Sequence, residues 1–189
     1  LIAIAGLARQ LNTITRDEYV AGAWWKSIVD SLCWYRSDTK PLSERDSSYV
    51  APSWSCLSLK DMIQFTFDGL DAPERSLVHI QVQTAAITLA SPDRFGAISN
   101  ATLRLACKWI LNCSIKSNMF EFTIRGSKHP TEGIVRFDYL WSTEVKQFVN
   151  SKSASRSLDI YILPIATYAS NWISRLVILP VEEKQGVYE

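Results

Sequence analysis

Val78-His79-Ile80-Gln81-Val82-Gln83 places an apolar side chain at every second position, with polar or ionisable ones between. A period of two marks a strand with one buried and one wet face. The same alternation recurs at Leu103, Leu105 and Cys107, at Phe120, Phe122 and Ile124, and at Leu158, Ile160 and Ile162, where it runs to Pro164. It begins with Trp54, Cys56 and Ser58 set against Ser55, Leu57 and Leu59. Residues 173–181 are almost wholly apolar apart from Ser174, Arg175 and Pro180, which predicts a central strand covered on both faces. Polar turns separate these runs, and no long helical pattern lies between them. Strands in such a series form an antiparallel sheet, a barrel or a sandwich.

Upstream of this region the period is helical. Leu1, Ile4, Leu7, Ala8 and Leu11 recur at helical spacing. Thr15-Arg16-Asp17-Glu18 has the form of a capping box, which predicts a second helix carrying Tyr19, Val20, Ala23, Trp24, Ile28 and Val29 near one face. The sequence thus predicts an α+β fold, with N-terminal helices packed on a mainly antiparallel, sheet- or barrel-like β domain. The expected organisation is a helical segment over residues 1–35, an exposed polar loop over 36–53 and a β-rich part over 54–189, together one structural unit. Residues 1–8 are too short an apolar run to span a membrane, which takes about 20 residues, and they lack the basic flank of a signal peptide. Both ends read as cut from a longer chain.

The composition excludes several classes. The chain has 189 residues, 47% hydrophobic and 21% charged, with a formal net charge of +1. That is unlike a disordered chain, and it gives no support to nucleic-acid binding by bulk charge. Seven glycines are few for phosphate-cradling loops, and neither a nucleotide-binding nor a hydrolase-elbow motif occurs. Cys33, Cys56, Cys107 and Cys113 have no zinc spacing and read as reduced thiols of a cytoplasmic protein. The triplets Asn100-Ala101-Thr102 and Asn112-Cys113-Ser114 would matter only in a secreted chain. His79 and His129 read as a sheet and a turn residue, and the acids as helix-start and turn residues. No catalytic, cofactor or metal residue is therefore expected, and the chain is read as no enzyme. Tyr19, Trp24, Trp25, Trp34 and Trp54 are the candidates for an interaction surface or, equally, for core packing.

Several stretches read together resemble a known family. Leu1-Ile2-Ala3-Ile4-Ala5-Gly6-Leu7-Ala8 is followed by Asp17-Glu18-Tyr19-Val20-Ala21-Gly22-Ala23-Trp24, then Leu32-Cys33-Trp34, then Ala51-Pro52-Ser53-Trp54-Ser55. Asp93-Arg94-Phe95-Gly96 and Ala101-Thr102-Leu103-Arg104-Leu105 come later, and Ile162-Leu163-Pro164-Ile165 and Arg175-Leu176-Val177-Ile178 near the end. This succession resembles the region downstream of the HET domain in fungal heterokaryon-incompatibility (HET) domain proteins. Cys56 stands where that family usually has a second Trp, Leu57 where it has Ala, and Arg175 where it has Gly.

The resemblance implies a non-catalytic regulatory or interaction region in non-self recognition and programmed cell death, with the HET domain itself absent from these residues. Its implied partners are the N-terminal HET domain of the same parent and an allelic incompatibility protein, with no nucleic acid and no membrane. Exposed apolar residues near Leu1 and Trp24-Trp25 are the expected docking surface. A stand-alone β-rich small-ligand-binding module is the alternative. A cryptic hydrolase, which would need His79 or His129 beside a Cys, Ser or carboxylate, is the third reading.

Overall fold

The spine of the molecule is a twelve-residue strand near the C-terminus, and the remaining elements are best placed relative to it. The computed structural model describes residues 2–37, 49–60, 62–65, 75–116, 121–125, 131–132, 157–168 and 173–178. In chain order these form helix α1 (Ile2–Thr15), the short strands β1 (Tyr19–Val20) and β2 (Ala23–Trp24), and a 3-10 turn over Trp25–Ser27 that runs into α2 (Ile28–Ser31). Next come β3 (Trp34–Arg36), a second 3-10 turn over Cys56–Ser58, β4 (Ile63–Phe65) and β5 (Arg75–Val78). The rest is β6 (Ile80–Leu89), β7 (Ile98–Cys107), β8 (Leu111–Lys116), β9 (Glu121–Ile124), β10 (Thr131–Glu132), β11 (Ser157–Tyr168) and β12 (Ile173–Ile178).

Among the described residues the fold is β-rich and antiparallel, with two short helices. The largest sheet has the order β10-β9-β8-β11-β12, with β5 also paired to β11. β12 takes one edge of β11 from Tyr161 to Thr167. The other edge is shared, with β8 along Ser157–Ile162 and β5 along Ala166–Tyr168. Ile160, Ile162, Leu163, Ile165, Ala166 and Tyr168 are all buried, so the strand is covered on both faces along its second half. The expectation of a doubly buried central strand was placed on residues 173–181. It belongs instead to β11, since β12 ends the described order and exposes Arg175.

Nor does β11 stop at Pro164, as the sequence predicts. A bulge leaves Ile165 unopposed between the Pro164–Arg175 and Ala166–Ser174 pairs, at the point where proline has no N–H to give the ladder. The Ile165 carbonyl is used on the other edge, where it accepts from the His79 N–H at 2.8 Å.

β6 and β7 form a separate long hairpin. Ile80 and Val82 point inward, and a bulge at Gln83 then shifts the inward set to Ala85 and Ile87. Two further two-stranded pairs, β1–β2 and β3–β4, complete the described sheets. Arg36, read as the first residue of a polar loop, is the buried last residue of β3, and Ala51 and Pro52 are buried as well.

The N-terminal 35 residues contain less helix than the periodicity predicts. Thr15 does not open a second helix but closes the first. Arg16 adopts a left-handed φ of 50°, and its N–H reaches the Asn12 carbonyl at 2.9 Å, the αL type of C-terminal cap. The chain then turns back as the β1–β2 hairpin. Ala21 and Gly22 have φ of 48° and 101°, and positive φ at both central residues marks the primed turn that suits strand twist. Residues 54–59 likewise contain a 3-10 turn where alternation predicts a strand.

Three apolar clusters tie these parts together. Ala5 and Ala8 of α1 pack on Phe95, with Tyr19 and Trp24 beside them. Val20, Ala23 and Ile28 pack against the inward face of the β6–β7 hairpin through Val82, Ala85, Ile87 and Leu103. Leu32 and Cys33 pack with Ile80 on Leu163, Ile165, Ala166 and Tyr168. The described sheets remain separate and do not close into one barrel. No described helix is long and apolar enough to cross a membrane.

Candidate functional site

The three most distinctive stretches of the sequence meet in space around the β1–β2 hairpin. Asp17 comes first. Its carboxylate accepts from the Glu18 N–H at 2.8 Å and from the Lys26 N–H at 3.3 Å, and the Trp25 N–H reaches the Glu18 carbonyl at 2.9 Å. The acid therefore caps the turn after the hairpin, not a helix starting at its own position. Sequence reasoning gave Asp17 helix-start chemistry but assigned it to the wrong element.

Ser55 makes the second link. Its hydroxyl donates to the Ala21 carbonyl at 2.5 Å and accepts from the Leu57 N–H at 3.2 Å, so one buried oxygen serves the hairpin turn and caps the second 3-10 turn. Leu57 lies over Gly22 so closely that a Cβ there would come within 2.7 Å of its Cγ and Cδ1. Glycine is thus required at position 22 for space as well as for its φ.

Asp93-Arg94-Phe95-Gly96 makes the third. The Asp93 carboxylate accepts from the Phe95 N–H at 3.1 Å, and the Gly96 N–H closes the turn on the Asp93 carbonyl at 2.9 Å. Arg9 of α1 donates to Asp93 at 2.8 Å. The Phe95 N–H first and Arg9 second hold the Asp93 carboxyl below the usual carboxylate range. The Phe95 ring carries the Arg94 and Arg9 guanidiniums at 5.2 and 5.9 Å and meets the Tyr19 ring at 5.6 Å.

The five aromatic candidates fall within this knot. Tyr19 and Trp24 meet edge to face at 5.4 Å and pack with Phe95. Trp25 packs on Val20, Ala23 and Ile28. Trp54 joins that cluster to the one beneath β11, and Trp34 donates its indole N–H to the Trp54 carbonyl at 3.0 Å. The Trp54 indole N–H is buried and meets no acceptor among the described residues. All five are half-buried. Phe95, Ser55 and Asp17, which complete the knot, were not singled out as site residues, although each lies inside one of the distinctive stretches.

The exposed apolar surface near the N-terminus lies on α1. Ile4, Leu7, Leu11 and Ile14 face outward, while the small Ala5 and Ala8 are buried. Helical spacing predicts Leu1, Ile4, Leu7, Ala8 and Leu11 as one apolar stripe, but Ala8 belongs with Ala5 to the face that packs on the domain, and Ile14 joins the exposed one.

Little chemistry accompanies this arrangement. A cleft between the hairpin, Leu57 and Phe95 holds about 20 Å³, roughly one water. A second depression of about 460 Å³ is open to solvent and lined by Asn12, Thr13, Arg16, Asp17, Glu18 and Arg94. Burial pushes the Cys56 and Cys113 thiols up, the direction that keeps them protonated and weakly nucleophilic. Burial also raises the Tyr19 hydroxyl, with Cys56 adding to the effect. All four cysteines are free of disulfides.

His79 Nε2 lies 2.7 Å from the Thr167 hydroxyl, and its ring is 5.9 Å from that of Trp109. His129 lies outside the described residues. Arg125, one of the basic residues on the strands, pairs with Asp159. No group of three His, Cys, Asp or Glu among the described residues is placed to hold a metal ion. Comparison of the chain with protein-family models, with curated proteins and with solved structures gave no match in any of the three.

Proposed function

We propose that this chain is a non-catalytic regulatory and interaction region of a protein of the fungal heterokaryon-incompatibility type, acting on a HET domain in the same parent. One observation carries the reading. Four of the stretches on which the resemblance rests, residues 1–8, 17–24, 51–55 and 93–96, are far apart in sequence, yet they pack on one another. Ser55 bonds Ala21 across 34 positions, and Asp93 bonds Arg9 across 84. In this reading α1 and the β1–β2 hairpin are the N-terminal layer on the antiparallel β part, and the protein works in the cytoplasm with its thiols reduced.

The mechanism is a shift of population. A partner that binds this region better in one state of the parent than in the other moves the attached domain toward that state, by no more than its differential affinity. An allelic incompatibility protein is the partner the reading expects. A small-ligand module, by contrast, needs an enclosed, mostly apolar cavity of roughly 300–1,000 Å³. Of the two depressions described above, both among the described residues, the cleft at the hairpin is an order of magnitude smaller, and the larger one is open and charged.

The test is to read the coding sequence adjoining Leu1 in the gene and, where it encodes a HET domain, to co-express that domain with this chain. Co-elution supports the reading. Separate elution, or an adjoining sequence with no HET domain, overturns it.

A further inference from the structure

Helix α1 shows two apolar faces, and among the described residues only one of them is buried in an apolar cluster, with Ile4 of the other at the edge of the hairpin cleft. Ala5 and Ala8 are buried against Phe95. Ile4, Leu7, Leu11 and Ile14 form a stripe about 110° around the helix from that face, given 3.6 residues per turn, and they are 44, 58, 37 and 73% exposed. Their spacing of 3, 4 and 3 is that of a coiled-coil seam. We propose that this stripe pairs antiparallel with the same stripe of a second copy of the chain.

Three features select a second copy. The stripe reads Ile-Leu-Leu-Ile, the same in both directions. Run antiparallel about its midpoint, it sets Ile4 against Ile14 and Leu7 against Leu11 of the other copy, so each layer joins side chains of one kind. A two-fold interface requires such self-complementarity. The described flanking positions, Ala8 and Thr15 on one side and Gln10 on the other, carry no charge. Flanking charges are what direct a coiled-coil helix to a different partner, or repel its own copy. Arg9 projects from the opposite side of the helix and is engaged by Asp93.

Area sets the strength. Four partly exposed side chains offer a few hundred Å² per copy, below the roughly 800 Å² per partner of a standard stable interface. An interface of this size is the weak, transient kind, so the pairing is read as a reversible equilibrium. The proposal rests on the interaction-region reading and names what one of its faces binds.

Sedimentation of the full chain over a concentration series reads the association, with Leu7→Glu, Leu11→Glu and Ile14→Glu as variants. All three sites are exposed, and circular dichroism verifies that the fold is kept. A monomer–dimer equilibrium weakened at least about tenfold by each glutamate is the expected result. Orientation is read by disulfide trapping in a Cys107→Ser background, since Cys107 is exposed. Leu7→Cys mixed with Leu11→Cys should cross-link far faster than either variant alone. A chain that stays monomeric to millimolar concentration, or traps Leu7→Cys with itself, overturns the pairing. If the chain is monomeric but Leu7→Glu abolishes co-elution with a HET domain, self-pairing fails and the proposed function stands. If the chain dimerises through the stripe but never binds such a domain, the pairing stands and the proposed function fails.

Discussion

Around β11 the chain is held by ladder bonds on both edges and by apolar side chains whose volume matters more than their identity. Around the β1–β2 hairpin it is held by single atoms: one carboxylate on two amides, one hydroxyl on a carbonyl and an amide, and one missing Cβ under Leu57. The first kind of region tolerates substitution that keeps the pattern. The second tolerates almost none, because a polar group deprived of its partner is costly when buried.

The largest effect that would sharpen the contrast is at Tyr168, nearly sealed beneath the sheet. Tyr168→Ala should cost about 4 kcal/mol in denaturant unfolding, whereas Ile165→Val in the same strand should cost only about 1 kcal/mol. Equal losses at the two sites would mean that volume is not what holds the sheet. At the hairpin a single methyl should matter. Gly22→Ala should cost about 2 kcal/mol, from positive φ and from collision with Leu57. Adding Leu57→Ala should recover the steric part but not the φ part, a coupling that a double-mutant cycle measures.

Ser55→Ala should cost about 1–2 kcal/mol by orphaning the Ala21 carbonyl and the Leu57 N–H. A loss as small as that of Ile165→Val would break the comparison.

The smallest effect is in acid. Asp93 has its folded pKa lowered, chiefly by the Phe95 N–H. Its contribution is therefore present above the ordinary carboxylate pKa of about 4 and is lost as pH falls through the lowered folded value. Asp93→Asn should remove that small contribution at neutral pH and change nothing at the acid end, so the acid limb of the stability profile flattens. A variant whose acid limb matches the parent would show that the turn is held without the charge.

Part of the β region was legible because alternation is a local pattern with one physical cause: β9, the second half of β7 and the start of β11 follow it. The stretch Val78–Gln83 reads as one strand but divides at His79, where Val78 ends β5 on β11 and Ile80 opens β6 on β7. Two bulges limited the rest. Gln83 moves the inward phase by one residue, and the Pro164 bulge lets a strand pass through a residue that normally ends one. Neither event leaves a mark in the periodicity. The predicted second helix failed for a different reason. Thr15-Arg16-Asp17-Glu18 has the letters of a helix start, but tertiary contact gives Asp17 to the amides of Glu18 and Lys26. Ala-Gly is also a weaker turn signal than Asn-Gly, so only Gly22 hinted at a hairpin. The aromatic residues were legible as a group. Their arrangement was not, because it depends on Phe95 and Ser55 arriving from distant turns.

The order of the strands has a consequence for synthesis. Everything that closes the hairpin knot has been made once Gly96 leaves the ribosome. β5 and β8 come from the middle of the chain, yet the strand they both pair with, β11, is made long after them. At about 5–20 residues per second, the roughly 70 residues from Gly96 to Tyr168 take about 4–14 s. During that interval the nascent chain carries a finished N-terminal knot beside strand edges still waiting for β11. A chaperone acting on this protein has its work in that window, and a truncation before Ser157 would leave the chain in it permanently.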